Sequence, residues 1–242
     1  GGTGLGVPRG NASDPALVAL LDEALRLLGD SQPALRARVL ARFAVELYFS
    51  GETERRMALS EEAVRLARQQ GDVATLAYVV CAQHFALWDS PDVERRLALA
   101  CEAIELAQRA QDPDVEAAAR LWRVLDRIEK GDGARWEAEL DELDEFARKL
   151  RQPRMLVFAA TLRATRALWR GRLAEVEAFG QRCLEIGQRA QDSGATLNVA
   201  IQRFALQRVR GEQAEQIPLV EMWMQQMPSN ATLRCMRALL YA

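Results

Sequence analysis

The sequence predicts an all-α fold: a right-handed superhelical solenoid of about five to six antiparallel helix hairpins on a 40-residue period. Three observations predict it. First, the chain repeats itself. LDEALRLLGDSQ at residue 21, EEAVRLARQQGD at 61, CEAIELAQRAQD at 101, DELDEFARKLRQ at 141 and QRCLEIGQRAQD at 181 begin successive blocks, and a partial block begins EMWMQQMPSN at 221. Second, each block holds two segments with apolar residues every three or four positions. Third, Ala, Leu, Glu and Arg dominate, residues that lose little rotamer freedom in a helix, and no segment alternates β-branched and polar residues as a strand would.

The elements follow in order. The first block fits with a one-residue slip, Glu23-Ala24-Leu25-Arg26-Leu27 against Glu62-Ala63-Val64-Arg65-Leu66, and Glu54-Arg55-Arg56 recurs as Glu94-Arg95-Arg96. The third block shows the hairpin most plainly. From Val115 to Lys130, Val115, Ala118, Ala119, Trp122, Leu125 and Ile128 form one face, with Glu116, Arg120, Arg123 and Arg127 on the other. Gly131-Asp132-Gly133 stops this helix, because glycine accepts the left-handed backbone that closes a helix C-terminus. A partner helix from about Ala134 to Leu150 ends at Arg151-Gln152-Pro153, proline suiting the first turn of the next helix. Equivalent stops fall at Ser50-Gly51, Ser90-Pro91, Gly171 and Gly211, and tight turns at Gly71-Asp72, Gln111-Asp112 and Gln191-Asp192. Residues 1–13 read as a flexible Gly-rich linker and 14–242 as one repeat domain. The apolar pattern from Leu233 runs to Ala242 without a cap, so the chain reads as a fragment of a longer one.

Composition narrows function. With 49% apolar residues the chain can bury a sizeable core, and a net charge of −2 argues against a nucleic-acid surface on this segment. No apolar run approaches the roughly 18 residues a membrane helix needs. Of the 32 basic residues only Lys130 and Lys149 are lysines, and His84 is the single histidine. Cys81, Cys101, Cys183 and Cys235 show no metal-ligand spacing and read as reduced thiols, which points to a cytoplasmic protein.

The forty-step column His84, Val124, Ala164, Phe204 places the imidazole among core positions, hydrogen-bonded rather than ligating. Glu137, Glu139, Asp141, Glu142, Asp144 and Glu145 spread around a helix instead of converging, and Ser60, Thr161 and Thr165 have no base beside them. No catalytic residue, metal ligand or cofactor is expected. Two columns are candidates for binding: Gln83, Arg123, Arg163 and Arg203, and two turns on, Lys130, Arg170 and Arg210. Stacking would align them into a basic stripe suited to carboxylate or phosphate oxygens. The alternative is a solvent face with glutamates of neighbouring hairpins beside it. Tyr78, Trp88, Trp122, Phe158 and Trp169 are aromatics of the same helices, placed either in a groove or in the core between hairpins.

Small residues at the expected crossings (Ala77, Ala117, Ala164, Ala167) and the turn Gly-Arg-Leu-Ala-Glu-Val from Gly171 to Val176 resemble tetratricopeptide repeats, with helices longer than that family's usual 34-residue unit allows. HFALWDSPDVERRLALACEAIELAQRAQD, from His84 to Asp112, and LRATRALWRGRLAEVEAF, from Leu162 to Phe179, are similar to the helical-repeat half of large bacterial ATP-dependent regulators. In that family a nucleotide-binding module precedes the repeats, and a DNA-binding or cyclase domain can be attached. No phosphate loop ending in Gly-Lys-Ser/Thr occurs here, and the opening Gly1-Gly2-Thr3-Gly4-Leu5-Gly6 reads as a linker.

The resemblance implies a non-catalytic binding domain in which first helices line a concave groove. Tyr78, Gln83, Trp122, Arg123, Phe158, Arg163, Asn198 and Arg203 are the groove candidates. Expected partners are a protein or peptide, acidic by the arginine stripe, or a small effector, with no membrane or nucleic acid. Exposed terminal helices would allow a homodimer. Rival functions are a self-standing scaffold for protein assembly and the repeat region of a cyclase-type signalling protein.

Overall fold

The computed structural model describes residues 13–29, 31–192, 194–226 and 231–241. Apart from Ser13, the linker expected at the N-terminus lies outside the described residues. Among the described residues the protein is all-helical, with twelve α-helices and two short 3-10 segments, Leu47–Phe49 and Gln213–Gln216. No described helix is long and apolar enough to cross a membrane. The chain divides into two compact units, Gly1–Leu150 and Arg151–Ala242.

The first unit contains α1 (Pro15–Leu28), α2 (Pro33–Glu46), α3 (Thr53–Gln70), α4 (Val73–Ala86), α5 (Val93–Ala110), α6 (Pro113–Lys130) and α7 (Gly133–Leu150). The second contains α8 (Pro153–Trp169), α9 (Leu173–Ala190), α10 (Gly194–Arg210), α11 (Ile217–Gln226) and α12 (Ala231–Leu240). Helix starts at Pro33, Val73, Pro113 and Pro153, and again at Thr53, Val93, Gly133 and Leu173, recur every forty residues. Aspartates set several of the starts: Asp14, Asp72, Asp92 and Asp112 each accept hydrogen bonds from backbone N–H groups of the first turn. The ends repeat too. Gly71, Gln111, Arg151 and Gln191 close α3, α5, α7 and α9 with φ of 70°, 53°, 52° and 54°. Three of these four are not glycine, so the turn geometry overrides the local preference of the residue.

Sequence neighbours pack on one another within each unit, α2 on α3, α4 on α5, α5 on α6 and α8 on α9, while α2 also lies against α4, α4 against α6 and α8 against α10. The second helix of each hairpin buries one stripe at i, i+4, i+7 and i+11. It reads Arg56, Ser60, Ala63, Ala67 in α3; Arg96, Ala100, Ala103, Ala107 in α5; Trp136, Leu140, Leu143, Ala147 in α7; and Val176, Gly180, Cys183, Gly187 in α9. This spacing is one face of a 3.6-residue helix. Its small residues let neighbouring helices approach. Ala77, Ala117, Ala164 and Ala167, expected at crossings, are all buried.

Candidate functional site

The groove candidates fall into three environments. Tyr78, Gln83 and Trp122 are core residues, Tyr78 and Trp122 being 5% and 2% exposed. Trp122 is the centre of an aromatic cluster, with Trp88 edge-on at 4.6 Å, Phe85 at 5.6 Å and the His84 ring stacked at 5.7 Å. Tyr78 lies beneath the Arg38 guanidinium, 4.2 Å from the ring centroid, and burial pushes its phenol above the ordinary value. These three positions are thus interior, Tyr78 and Gln83 on an α4 buried at every position from Ala77 to Ala86 and Trp122 on the apolar face of α6.

Arg123, Phe158, Arg163 and Asn198 are half-buried. Arg123 faces Glu139 at 3.1 Å and Glu142 at 3.9 Å, both on α7. Arg203 is exposed and has no ion pair among the described residues. Two members of the second basic column pair with the preceding helix, Lys130 with Glu94 at 2.5 Å and Arg210 with Glu177 at 2.7 Å, which is the solvent-face arrangement. Arg170 is exposed. The column Gln83–Arg203 is split between the two units, with Gln83 and Arg123 in the first and Arg163 and Arg203 in the second.

Arg203 belongs to a cavity of about 450 Å³ between α9 and α10. Its apolar wall is Val176, Leu184, Val199 and Leu206, and Gly180 leaves it open because no side chain projects there. Glu177, Arg210 and Glu212 give it a charged rim. Gln202 anchors one side by donating its amide to the Thr161 carbonyl. The volume lies within the usual range for small-molecule pockets, and the pairing of an apolar wall with a guanidinium that has no ion pair among the described residues suits a ligand with an apolar body and an acidic end. A cation without a partner at the mouth of such a cavity is available to a carboxylate or phosphate in a way that the paired Arg123 and Arg210 are not.

A second constellation went unrecognised in the sequence. Arg96, 1% exposed, donates from Nε to Asp126 at 3.0 Å, from Nη1 to the Trp88 and Ser90 carbonyls, and from Nη2 to Glu129. The other Asp126 oxygen is 2.6 Å from His84 Nε2. Forty residues earlier, Arg56 pairs with both oxygens of Asp89 at 2.8 and 2.7 Å and lies over the Tyr48 ring. The recurring Glu-Arg-Arg was the available signal. The core placement and hydrogen bonding expected of His84 are both present. His84, Arg96 and Asp126 are all buried, so this network ties α4, α5 and α6 together, with Glu129 at its exposed edge.

Among the described residues no group of three or more His, Cys, Asp or Glu side chains is placed to hold a metal ion. Burial pushes the Cys81 thiol up to about 12, and raises that of Cys183, so both are protonated and unreactive at neutral pH. No protein-family model matches the chain, and no curated protein matches it.

Proposed function

We propose that this chain is a non-catalytic binding domain, the helical-repeat region of a bacterial ATP-dependent transcriptional regulator, which takes a protein segment or small effector with an acidic group. The observation that carries the binding reading is the α9–α10 cavity with unpaired Arg203 at its edge. The regulator reading rests on the similarity of His84–Asp112 and Leu162–Phe179 to that family's repeats. In this reading binding fills the apolar trough, Arg203 clamps the acid, and the ligand biases the conformation of the hairpins by binding one arrangement more tightly than another.

The test is a fluorescence-anisotropy titration of the full chain with a labelled peptide of alternating Leu and Glu. Saturable binding is expected, weakened about tenfold or more by Arg203→Glu, which removes a charge-assisted contact and adds a repulsion. Lys149→Glu, on an exposed side chain paired with Glu145 at 2.8 Å and far along the chain from the cavity, changes it little. Equal loss with both variants would reduce the effect to net charge and sink the cavity as the site.

A further inference from the structure

The first helix carries a footprint that the rest of the chain explains. In the slipped register, Leu20, Glu23 and Leu27 of α1 take the places of Leu59, Glu62 and Leu66 in α3, and of Glu139, Glu142 and Phe146 in α7. The fold keeps that register. Leu21, the counterpart of Ser60, is buried, and Leu17 and Leu25 pack with it against Phe43 and Leu47.

In α3 and α7 this face meets the first helix that precedes it, whereas in α5 the equivalent Glu102 pairs with Arg68 of α3 at 3.0 Å and in α9 the equivalent position is Arg182. Leu59 of α3 packs against Phe43 and Leu47, and Glu62 accepts from Arg36 of α2 at 3.3 Å. In α7, Glu142 takes Arg120 of α6 at 3.5 Å, and the Arg120 guanidinium lies over the Phe146 ring at 5.0 Å. In α9 the counterparts are Phe179 and Ile186. Phe179 packs against the cluster containing Ala164 and Ala167 of α8, and Ile186 against the one containing Val157 and Ala160. On α1 the same face is bare: Leu20 is 60% and Leu27 80% exposed, and Leu35 at the start of α2 is 44% exposed. Glu23, the counterpart of Glu62 and Glu142, is exposed and has no ion pair among the described residues.

We propose that this face of α1 docks an amphipathic helix built like the chain's own first helices, its apolar stripe covering Leu20 and Leu27 and its arginine meeting Glu23. Two internal copies set the chemistry of the occupant: in α3 and α7 the preceding helix brings an arginine to the equivalent of Glu23, with Phe43 packed near Leu59 in α3 and the Arg120 guanidinium over Phe146 in α7. Two exposed leucines two helical turns apart, with a carboxylate between them, make the seam that helix-in-groove recognition uses. The site is separate from the α9–α10 cavity and stands without it.

A fluorescein-labelled peptide of residues 32–49, QPALRARVLARFAVELYF, supplies the natural cover of α3 in trans and is titrated onto the full chain by anisotropy. Saturable binding is expected at or below about 1 mM, and Leu20→Asp with Leu27→Asp weakens it about tenfold or more. Glu23→Arg also weakens it, and a peptide carrying Arg36→Glu restores binding to that variant. All three altered side chains are exposed, so circular dichroism and Tm of the variants match the parent, which separates lost docking from lost folding. No saturation, or binding indifferent to these substitutions, overturns the proposal. A homodimer in sedimentation velocity that the two leucine substitutions dissolve overturns it in favour of a second copy as the occupant.

Discussion

Arg55 and Arg56 are adjacent, as are Arg95 and Arg96, yet only the second of each pair lies in the core. One step along a helix is a 100° turn, enough to carry a side chain from solvent to a neighbouring helix. Arg96 then satisfies four oxygen partners, on Asp126, Glu129 and the carbonyls of Trp88 and Ser90. Removing Arg96 leaves the Asp126 carboxylate, 4% exposed, without its guanidinium, so Arg96→Ala is expected to cost about 3–5 kcal/mol in urea unfolding. Arg95→Ala, at an exposed position, should stay within about 0.5 kcal/mol. Similar losses for the two would contradict the buried network. The recurrence of Glu-Arg-Arg was visible in the sequence; that its last arginine is internal depends on the phase of α5 against α4 and α6.

The second helices are held by small residues on a fixed stripe, and its last position reads Ala67, Ala107, Ala147 and then Gly187. The glycine has a reason. A Cβ there would stand 2.3 Å from the Ala195 Cβ and 3.3 Å from the Asp192 carbonyl oxygen, so α9 and α10 approach more closely than alanine permits. Gly187→Ala should force the helices apart and cost about 1–3 kcal/mol, seen as a lower Tm. Gly180→Ala is the contrast: its Cβ would meet only Val199 Cγ1 at 3.7 Å, an ordinary contact. That substitution should raise stability by up to about 1 kcal/mol through helix propensity. Equal effects at the two glycines would remove the close approach as the explanation.

For the molecule as a whole, burial of neutral acids sets the alkaline limit of stability. The Cys81 thiol is moved from an ordinary value near 9 up to about 12, and the Tyr48, Tyr78 and Cys183 groups shift in the same direction, with burial the largest cause of each. Above pH 9 the unfolded chain gives up the Cys81 proton while the folded chain keeps it. The unfolded state then binds fewer protons, and stability falls as pH rises toward 12. For Cys81 alone the slope is about 1.4 kcal/mol per pH unit. Urea midpoints under reducing conditions should therefore drop between pH 9 and 10, and Cys81→Ala should flatten that drop relative to its own value at pH 8. A parent profile level from pH 8 to 10 would refute the linkage.

Helix count, period and most boundaries were legible in the sequence because they are local: a turn residue, an aspartate cap and a 3.6-residue stripe act within a few positions of themselves. Pro113–Lys130 and Gly133–Leu150 lie where glycine, proline and apolar spacing put them. The direction each stripe faces is not local. Gln83 holds the same repeat position as the solvent-side Arg123, yet it is buried with Tyr78 because α4 packs among its neighbours on every side from Ala77 to Ala86. Arg123 and Arg203 hold equivalent positions in the repeat, yet one meets glutamates of α7 and the other borders an open cavity. Side-chain chemistry travels with the sequence, but exposure and pairing belong to the space between helices, which tertiary packing alone creates.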